Sequence, residues 1–294
     1  MTTQSPICSH NPYHTARFPL LVLDVTRQIC NPPNEGFRVL HWHDEIQLVY
    51  ILKGVVHFKI YDQEIDLSAH DCMFINRTVL HHITEKEDCH YHSFIIPPRM
   101  LSFFPGSIME QDDVGNIINN PFLTHYPLYA SRPEYHDFFR QLKLLDELYF
   151  QEEQQAHHAY RLAIRLSQVW LELISLLPSQ EASQPAKKYD RIRTMLSYIH
   201  TNYPQELSLA DIAASAHISQ SECLRCFNRF IHCSPYQYLI QYRLHMSTTL
   251  LLTTERTVTE IAFLVGFHSV SSYIRYFRQY YRTTPLKYRS AKNY

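Results

Sequence analysis

The C-terminal part of the chain contains one segment twice, in degenerate form, and this repeat limits the fold more than any other feature. The first copy reads IAASAHISQSECLRCFNRFIHCSPYQY from Ile212, and the second reads IAFLVGFHSVSSYIRYFRQYYRTTPLKY from Ile261. Ile212-Ala213 matches Ile261-Ala262, and Arg225, Phe227, Pro235 and Tyr238 match Arg275, Phe277, Pro285 and Tyr288. The offset grows from 49 to 50 residues, so one residue has been gained within the second turn. Stacked solenoids need about three or more copies to bury a continuous core. Two copies indicate a duplicated module.

Each copy carries helix punctuation at matching places. Ser208 with Asp211, Ser219 with Glu222 and Thr257 with Glu260 have capping-box spacing, in which hydroxyl and carboxylate each accept a backbone N–H left over at the helix start. Ser234-Pro235 and Thr284-Pro285 set a capping hydroxyl before a proline whose fixed φ suits the first turn. The spacing predicts a helix over 209–216, a turn at His217-Ile218 and a helix over 220–230. It then predicts a helix over 258–265, a turn at Gly266-Phe267 and a helix over 270–280. Two short helices joined by a tight turn form a helix-turn-helix. A connecting helix over 235–252 would span about 27 Å, compatible with two reading helices near one roughly 34 Å turn of B-DNA apart.

Helical periodicity assigns Cys223, Cys226, Phe227 and Phe230 to the core side of the first reading helix. Ser221, Leu224, Arg225 and Asn228 are then free to meet DNA. In the second reading helix Tyr273, Phe277 and Tyr280 face inward, and Ser271, Ser272, Arg275 and Arg278 face out. Arg pairs bidentately with guanine, and Ser reaches a base or a phosphate. Arg225 and Arg275 are the candidates for base readout, with a phosphate clamp as the alternative at each. Charge agrees with a polyanionic partner. Residues 187–294 hold 14 Lys and Arg against 6 Asp and Glu, whereas residues 1–186 hold 13 against 22.

Residues 187–294 resemble the DNA-binding domain of the AraC/XylS family of bacterial transcription regulators. IAFLVGF, with Phe277 and Pro285, is close to the family signature. The chain departs from it at His217 and His232, where Gly is common, and at Cys223, where Leu is usual. The resemblance implies a double-stranded DNA operator as partner and, in activators, contact with RNA polymerase; repression is equally compatible with the residues.

Residues 37–96 read as short strands: 37–43, 46–52, 55–61, 64–67, 72–75 and 91–96. They are rich in Val, Ile, Tyr and Phe and are separated by turn-like pairs such as Lys53-Gly54 and Asp62-Gln63. Closely spaced short strands predict an antiparallel barrel or sandwich. From about Glu134 the period becomes helical. Phe138, Leu142, Leu145 and Leu148-Tyr149 form one stripe, and Leu162, Leu166, Val169-Trp170, Leu173 and Leu177 another. These helices cover the barrel, pair with a second copy of the chain, or do both; an exposed apolar stripe would favour the dimer. The polar, proline-containing run 178–188 reads as a linker.

Alternate residues of a strand share a face, so His41-Trp42-His43 sets two imidazoles on one side, with Gln47 in the same parity. Gly36, His41, His43, Gln47, Gly54 and His81 resemble a cupin pattern, and HWHDEIQLVYILKG resembles the cupin-like sensor of many AraC-type regulators. In metal cupins three His and a Glu hold a divalent metal, and Gln47 stands where that Glu would be. The leading reading is an effector pocket formed by His41, His43, Gln47 and His81, with no metal, cofactor or catalysis; carbohydrates are frequent effectors of such regulators. The alternatives are a cupin-type metalloenzyme fused to a DNA-binding domain, and a packed barrel whose histidines are merely hydrogen bonded.

Seven scattered cysteines suit a reducing compartment better than a disulfide framework. Cys223-x-x-Cys226 lacks a second cysteine pair at zinc-ligand spacing. No signal peptide or membrane span is read, which points to the cytoplasm. The expected fold is α+β in two domains. Residues 1–178 form a cupin-like β-barrel with covering helices for effector binding and dimerisation, 179–188 a linker, and 189–294 an all-α DNA-binding domain with two helix-turn-helix units. A homodimer is the expected assembly.

Overall fold

A computed structural model describes residues 7–9, 11, 17–27, 29–34, 39–86, 88–120, 123–150, 156–178 and 187–290. The chain divides into two compact units, Ala16–Gln184 and Pro185–Tyr294, the second also taking in Met1–Thr15. The former is sheet-rich and the latter helical, an α+β arrangement in two domains. Among the described residues no helix is long and apolar enough to cross a membrane.

The strands of the first unit are β1 (Leu21–Thr26), β2 (Ile29–Asn31), β3 (His41–Trp42), β4 (Ile46–Lys53), β5 (Val55–Ile60), β6 (Gln63–Ser68), β7 (Cys72–Ile75), β8 (His81–Glu85), β9 (His90–Ile96) and β10 (His125–Leu128). One sheet runs β3-β8-β5-β6 and the other β10-β7-β4-β9-β1-β2, with every pairing between these strands antiparallel. On β5, Val56, Phe58 and Ile60 are buried and their neighbours half-exposed, as strand alternation requires. On β4 both faces are buried. Ile46, Leu48 and Tyr50 share a core with α1 (His136–Tyr149) and α2 (His158–Leu176), and Gln47, Val49 and Ile51 take the opposite face. Phe138, Leu142, Leu145, Leu162, Leu166, Val169 and Leu173 pack on that sheet, so both helices cover the barrel.

The β4–β5 hairpin turns at Gly54, where φ is +77°. A Cβ there would lie 2.5 Å from the Asp88 carbonyl oxygen, so the backbone approach itself demands glycine.

Several sequence expectations change. The strand expected over 37–43 is formed only by His41–Trp42; Gly36 to Arg38 lie outside the described residues. β1, β2, β8 and β10 were not anticipated. β10 contains Pro127, which a strand tolerates because β10 is a sheet edge. The second hairpin turns at Tyr61-Asp62, with Gln63 already in β6. The stretch 179–186 of the expected linker lies outside the described residues, and Lys187 and Lys188 belong to a helix.

The second unit comprises α3 (Lys187–Asn202), α4 (Leu209–Ser215), α5 (Gln220–Phe230), α6 (Pro235–Thr253), α7 (Val258–Leu264), α8 (Val270–Tyr281) and α9 (Pro285–Ser290). Ser208/Asp211 and Thr257/Glu260 form capping boxes. Ser219 caps α5 through the Glu222 N–H, but the Glu222 carboxylate turns forward to Arg225 instead of back to the cap, so this is not a box. Ser234 makes an unanticipated box with Gln237. At the turns, His217 takes φ +54° and His232 φ +58°, the left-handed conformation that explains why glycine suits those positions. Gly266 sits at φ +90°, and a Cβ would lie 2.7 Å from the Tyr203 carbonyl oxygen.

The connecting helix α6 serves both reading units. Tyr238 meets Phe227 of α5, ring centroids 6.1 Å apart, and accepts or donates a 2.7 Å hydrogen bond with His200 of α3. Further along, Ile240, Leu244 and Leu251 pack with Ile261, Val265, Tyr273 and Phe277. Tyr273 also donates to the buried Ser247 hydroxyl at 3.0 Å.

Candidate functional site

The reading face of α5 follows from its burial pattern. Cys223, Cys226, Phe227 and Phe230 are buried, and Ser221, Leu224, Arg225 and Asn228 are exposed together along the opposite side. Burial, with the neighbouring Cys226, pushes the Cys223 thiol up to about 11. Arg225 is bound to Glu222 at 2.5 Å, and Arg191 of α3 approaches the same carboxylate at 3.6 Å. Sequence reasoning missed both this brace and the exposed Arg229 beside it, whose guanidinium lies over the Phe230 ring.

On α8, Tyr273 and Phe277 are buried, but Tyr280 is only half-buried, a correction that reflects its place near the helix end. Ser271, Arg275 and Arg278 are exposed. Ser272 is half-buried and engaged in the helix start: its N–H donates to Ser269 Oγ at 3.2 Å, and its hydroxyl accepts from Ser269 Oγ at 3.0 Å. Its hydroxyl is therefore less free for DNA than its sequence position implied. The Arg275 guanidinium lies over the Tyr276 ring, 5.0 Å from its centroid, a cation–π contact.

In the barrel, His41, His43 and His81 come together. His41 pairs directly opposite His81 across β3 and β8. Ring centroids lie 4.2 Å apart for His41–His81, 5.2 Å for His43–His81 and 5.8 Å for His41–His43. His41 donates Nδ1–H to the Val39 carbonyl at 2.9 Å, and His81 donates to the Val79 carbonyl at 2.8 Å. In the neutral ring this fixes the proton on Nδ1 and leaves the Nε2 lone pair turned to the cluster. His81 Nε2 is buried with no partner among the described residues. His43 Nδ1 is held by the Glu45 carbonyl at 3.0 Å. Gln47 Oε1 lies 3.1 Å from His43 Nε2, where it can only accept, and the Gln47 amide N–H donates to Ser93 Oγ at 2.7 Å.

Burial first, then the neighbouring His43, drives His41 down to about 3; burial, with His41 and His43, holds His81 well below the usual imidazole range. Both rings are therefore neutral acceptors at physiological pH. One ring nitrogen from each of the three histidines lies within 4.8 Å of the others. Such a set can accept hydroxyl groups of a ligand or hold a divalent cation, although Gln47 supplies no anionic ligand.

Residues 22–169 match the family described as the AraC-like ligand binding domain, and residues 212–291 match a helix-turn-helix domain family. The chain is similar to an HTH-type transcriptional regulator of Bacillus subtilis, YdeC, with 30% identity over 285 residues and 94% of each chain covered. It is 23% identical over 273 residues to the HTH-type transcriptional activator RhaR of Mannheimia succiniciproducens, covering 91% of each. It is 21% identical over 263 residues to the melibiose operon regulatory protein of Escherichia coli, covering 85% of this chain and 82% of that one. With a ligand-binding barrel joined to a duplicated helix-turn-helix module, the chain belongs to the AraC family and is an effector-responsive, DNA-binding transcription regulator.

Proposed function

We propose that the effector is a small polyhydroxylated molecule, a carbohydrate, held in the barrel by His41, His43, Gln47 and His81 without catalysis. The observation that carries this is the convergence of three buried imidazoles, with the Gln47 side chain hydrogen bonded to one of them. Imidazole nitrogens and an amide match the alternating donors and acceptors of vicinal hydroxyls, and a relative named for the melibiose operon agrees with that chemistry. Occupancy shifts transcription only by favouring one arrangement of the regulator over another. Ser221, Leu224, Arg225, Asn228, Ser271, Ser272, Arg275 and Arg278 face operator DNA, and RNA polymerase is the partner in activation.

The regulator works in the cytoplasm as a homodimer. Tyr160, Ile164 and Leu171 are exposed at helical spacing on α2, the side turned away from the sheet. Beside them a cavity of about 640 Å³ is lined by Met100, Phe103, Met109, Ile164, Trp170 and Leu171. One helix stripe meeting its own copy satisfies the self-complementarity of a two-fold interface.

Calorimetry of the full chain against a panel of sugars and polyols tests the effector reading. A binder is expected whose affinity falls by about 1–3 kcal/mol in His43→Ala and Gln47→Ala, the scale of a lost buried hydrogen bond. A binder indifferent to both variants removes the barrel cluster from the effector site. The same three imidazoles favour a second reading, a cupin-type metalloenzyme fused to the DNA-binding unit. It requires a stoichiometric metal that disappears in His41→Ala, and metal-free protein that still binds its operator defeats it.

A further inference from the structure

A second imidazole cluster lies on the opposite face of the barrel wall, under the helices. His92 of β9 pairs directly across from Asp24 of β1, and His90 lies two residues earlier on the same strand. His90 Nε2 is 2.8 Å and His92 Nε2 3.7 Å from one oxygen, Asp24 Oδ1. The potential ligand atoms of all three residues lie within 4.8 Å of one another. His92 donates Nδ1–H to Asp146 Oδ1 of α1 at 2.5 Å, and the Phe150 ring covers it at a centroid distance of 4.3 Å.

We propose that Asp24, His90 and His92 form a binding site for a divalent transition-metal ion of the zinc class, with Asp146 as the positioning residue for His92. In a tetrahedral site with bonds of about 2.05 Å, neighbouring ligand atoms stand about 3.3 Å apart. The two distances to Asp24 Oδ1 fall either side of that value, each about half an ångström away. Side-chain adjustment of that size suffices, because Asp24 and His90 are both about one-third exposed. His92 cannot adjust in the same way, and it has the least need to. Its Nδ1 proton is fixed on a carboxylate, the arrangement that orients metal-bound imidazoles and raises their basicity.

Charge and ligand type select the ion. The cluster carries two carboxylates, and neither has a Lys or Arg partner among the described residues. One divalent cation balances the charge of both carboxylates. Two imidazoles favour zinc, cobalt or nickel over the all-oxygen ions magnesium and calcium, and the absence of a thiolate in the set disfavours copper(I). A bound ion would join β1 to β9 and, through Asp146, both strands to α1. The proposal is independent of where the effector sits.

Co²⁺ titration of chelator-treated full-length protein, followed by d–d absorption, tests it. One equivalent is expected, displaced by Zn²⁺, present in His41→Ala, and lost or weakened at least about tenfold in both His90→Ala and Asp24→Asn. Both substituted positions are partly exposed, and circular dichroism establishes that the variants fold. Asp146→Asn is expected to keep the stoichiometry and weaken binding by about 10–100-fold. No equivalent in the wild-type protein overturns the proposal. So does an equivalent unaffected by His90→Ala and Asp24→Asn, or one abolished by His41→Ala alone.

Discussion

The Glu222 carboxylate holds the Arg225 guanidinium at 2.5 Å, one turn apart along α5. As the proposed base contact, Arg225 would have to leave this exposed partner, and Glu222 would add a negative charge beside the proposed DNA-facing surface. Exposed ion pairs contribute at most about 1 kcal/mol, so the brace is a modest tax on binding. Glu222→Gln is expected to tighten operator binding by about three- to tenfold at low salt. Arg225→Ala and Arg275→Ala are expected to weaken it by about 1–3 kcal/mol each and to relax one operator position. Fluorescence anisotropy on matched and mismatched duplexes measures both. Equal losses on every sequence would assign the two arginines to phosphates.

The two turns differ in what they tolerate. At Gly266 a Cβ would press on the carbonyl oxygens of Tyr203 and Pro204, at 2.7 and 2.8 Å, with φ already at +90°. Gly266→Ala should destabilise the helical unit by about 2 kcal/mol or more. At His217 the left-handed backbone is occupied without glycine, so His217→Gly trades relief of local strain against a freer unfolded chain. That variant is expected to stay within about 1 kcal/mol of the wild type in thermal unfolding.

The helical unit was legible because α4 to α9 each announce their start with a hydroxyl, and α5 and α8 mark their inner face with buried aromatics. The S-x-x-E spacing at Ser219 could not disclose that Glu222 reaches forward to Arg225, since either contact uses the same residues. β8 escaped notice because histidine fills an inward position where strand patterns call for an apolar residue. Parity placed His41, His43 and Gln47 together, and His81 joined them only through resemblance to the cupin pattern. The His92–Asp146 contact joins residues 54 apart in sequence, a separation that no local pattern encodes.

Acid should loosen the barrel. The folded state holds His41 at about 3 and His81 well below its usual value, whereas unfolded histidine titrates near 6.5. The unfolded chain therefore binds more protons below about pH 6.5, and stability falls as pH drops through that window, by up to about 1.4 kcal/mol per pH unit per group. His41→Gln should flatten the acid limb of a pH series of denaturation midpoints. An unchanged slope would show that these rings are protonated in the fold.

Assembly can be tested on the outward stripe of α2. Ile164 and Leu171 are 49% and 60% exposed and make little contribution to the barrel core. Ile164→Glu and Leu171→Glu should leave the thermal transition of the barrel within about 1 kcal/mol while shifting sedimentation from dimer toward monomer. A wild-type chain that sediments as a monomer at micromolar concentration would reject the α2 interface.

Because α6 is packed against α5 at one end and against α7 and α8 at the other, the two probes cannot slide or swivel separately. The helical unit is a caliper whose two jaws share one beam. One base pair inserted between the two contacted elements rotates the second by about 34–36° about the helix axis. The duplex must absorb that error through its own twist and bend, so stiff spacer sequences should tolerate it least.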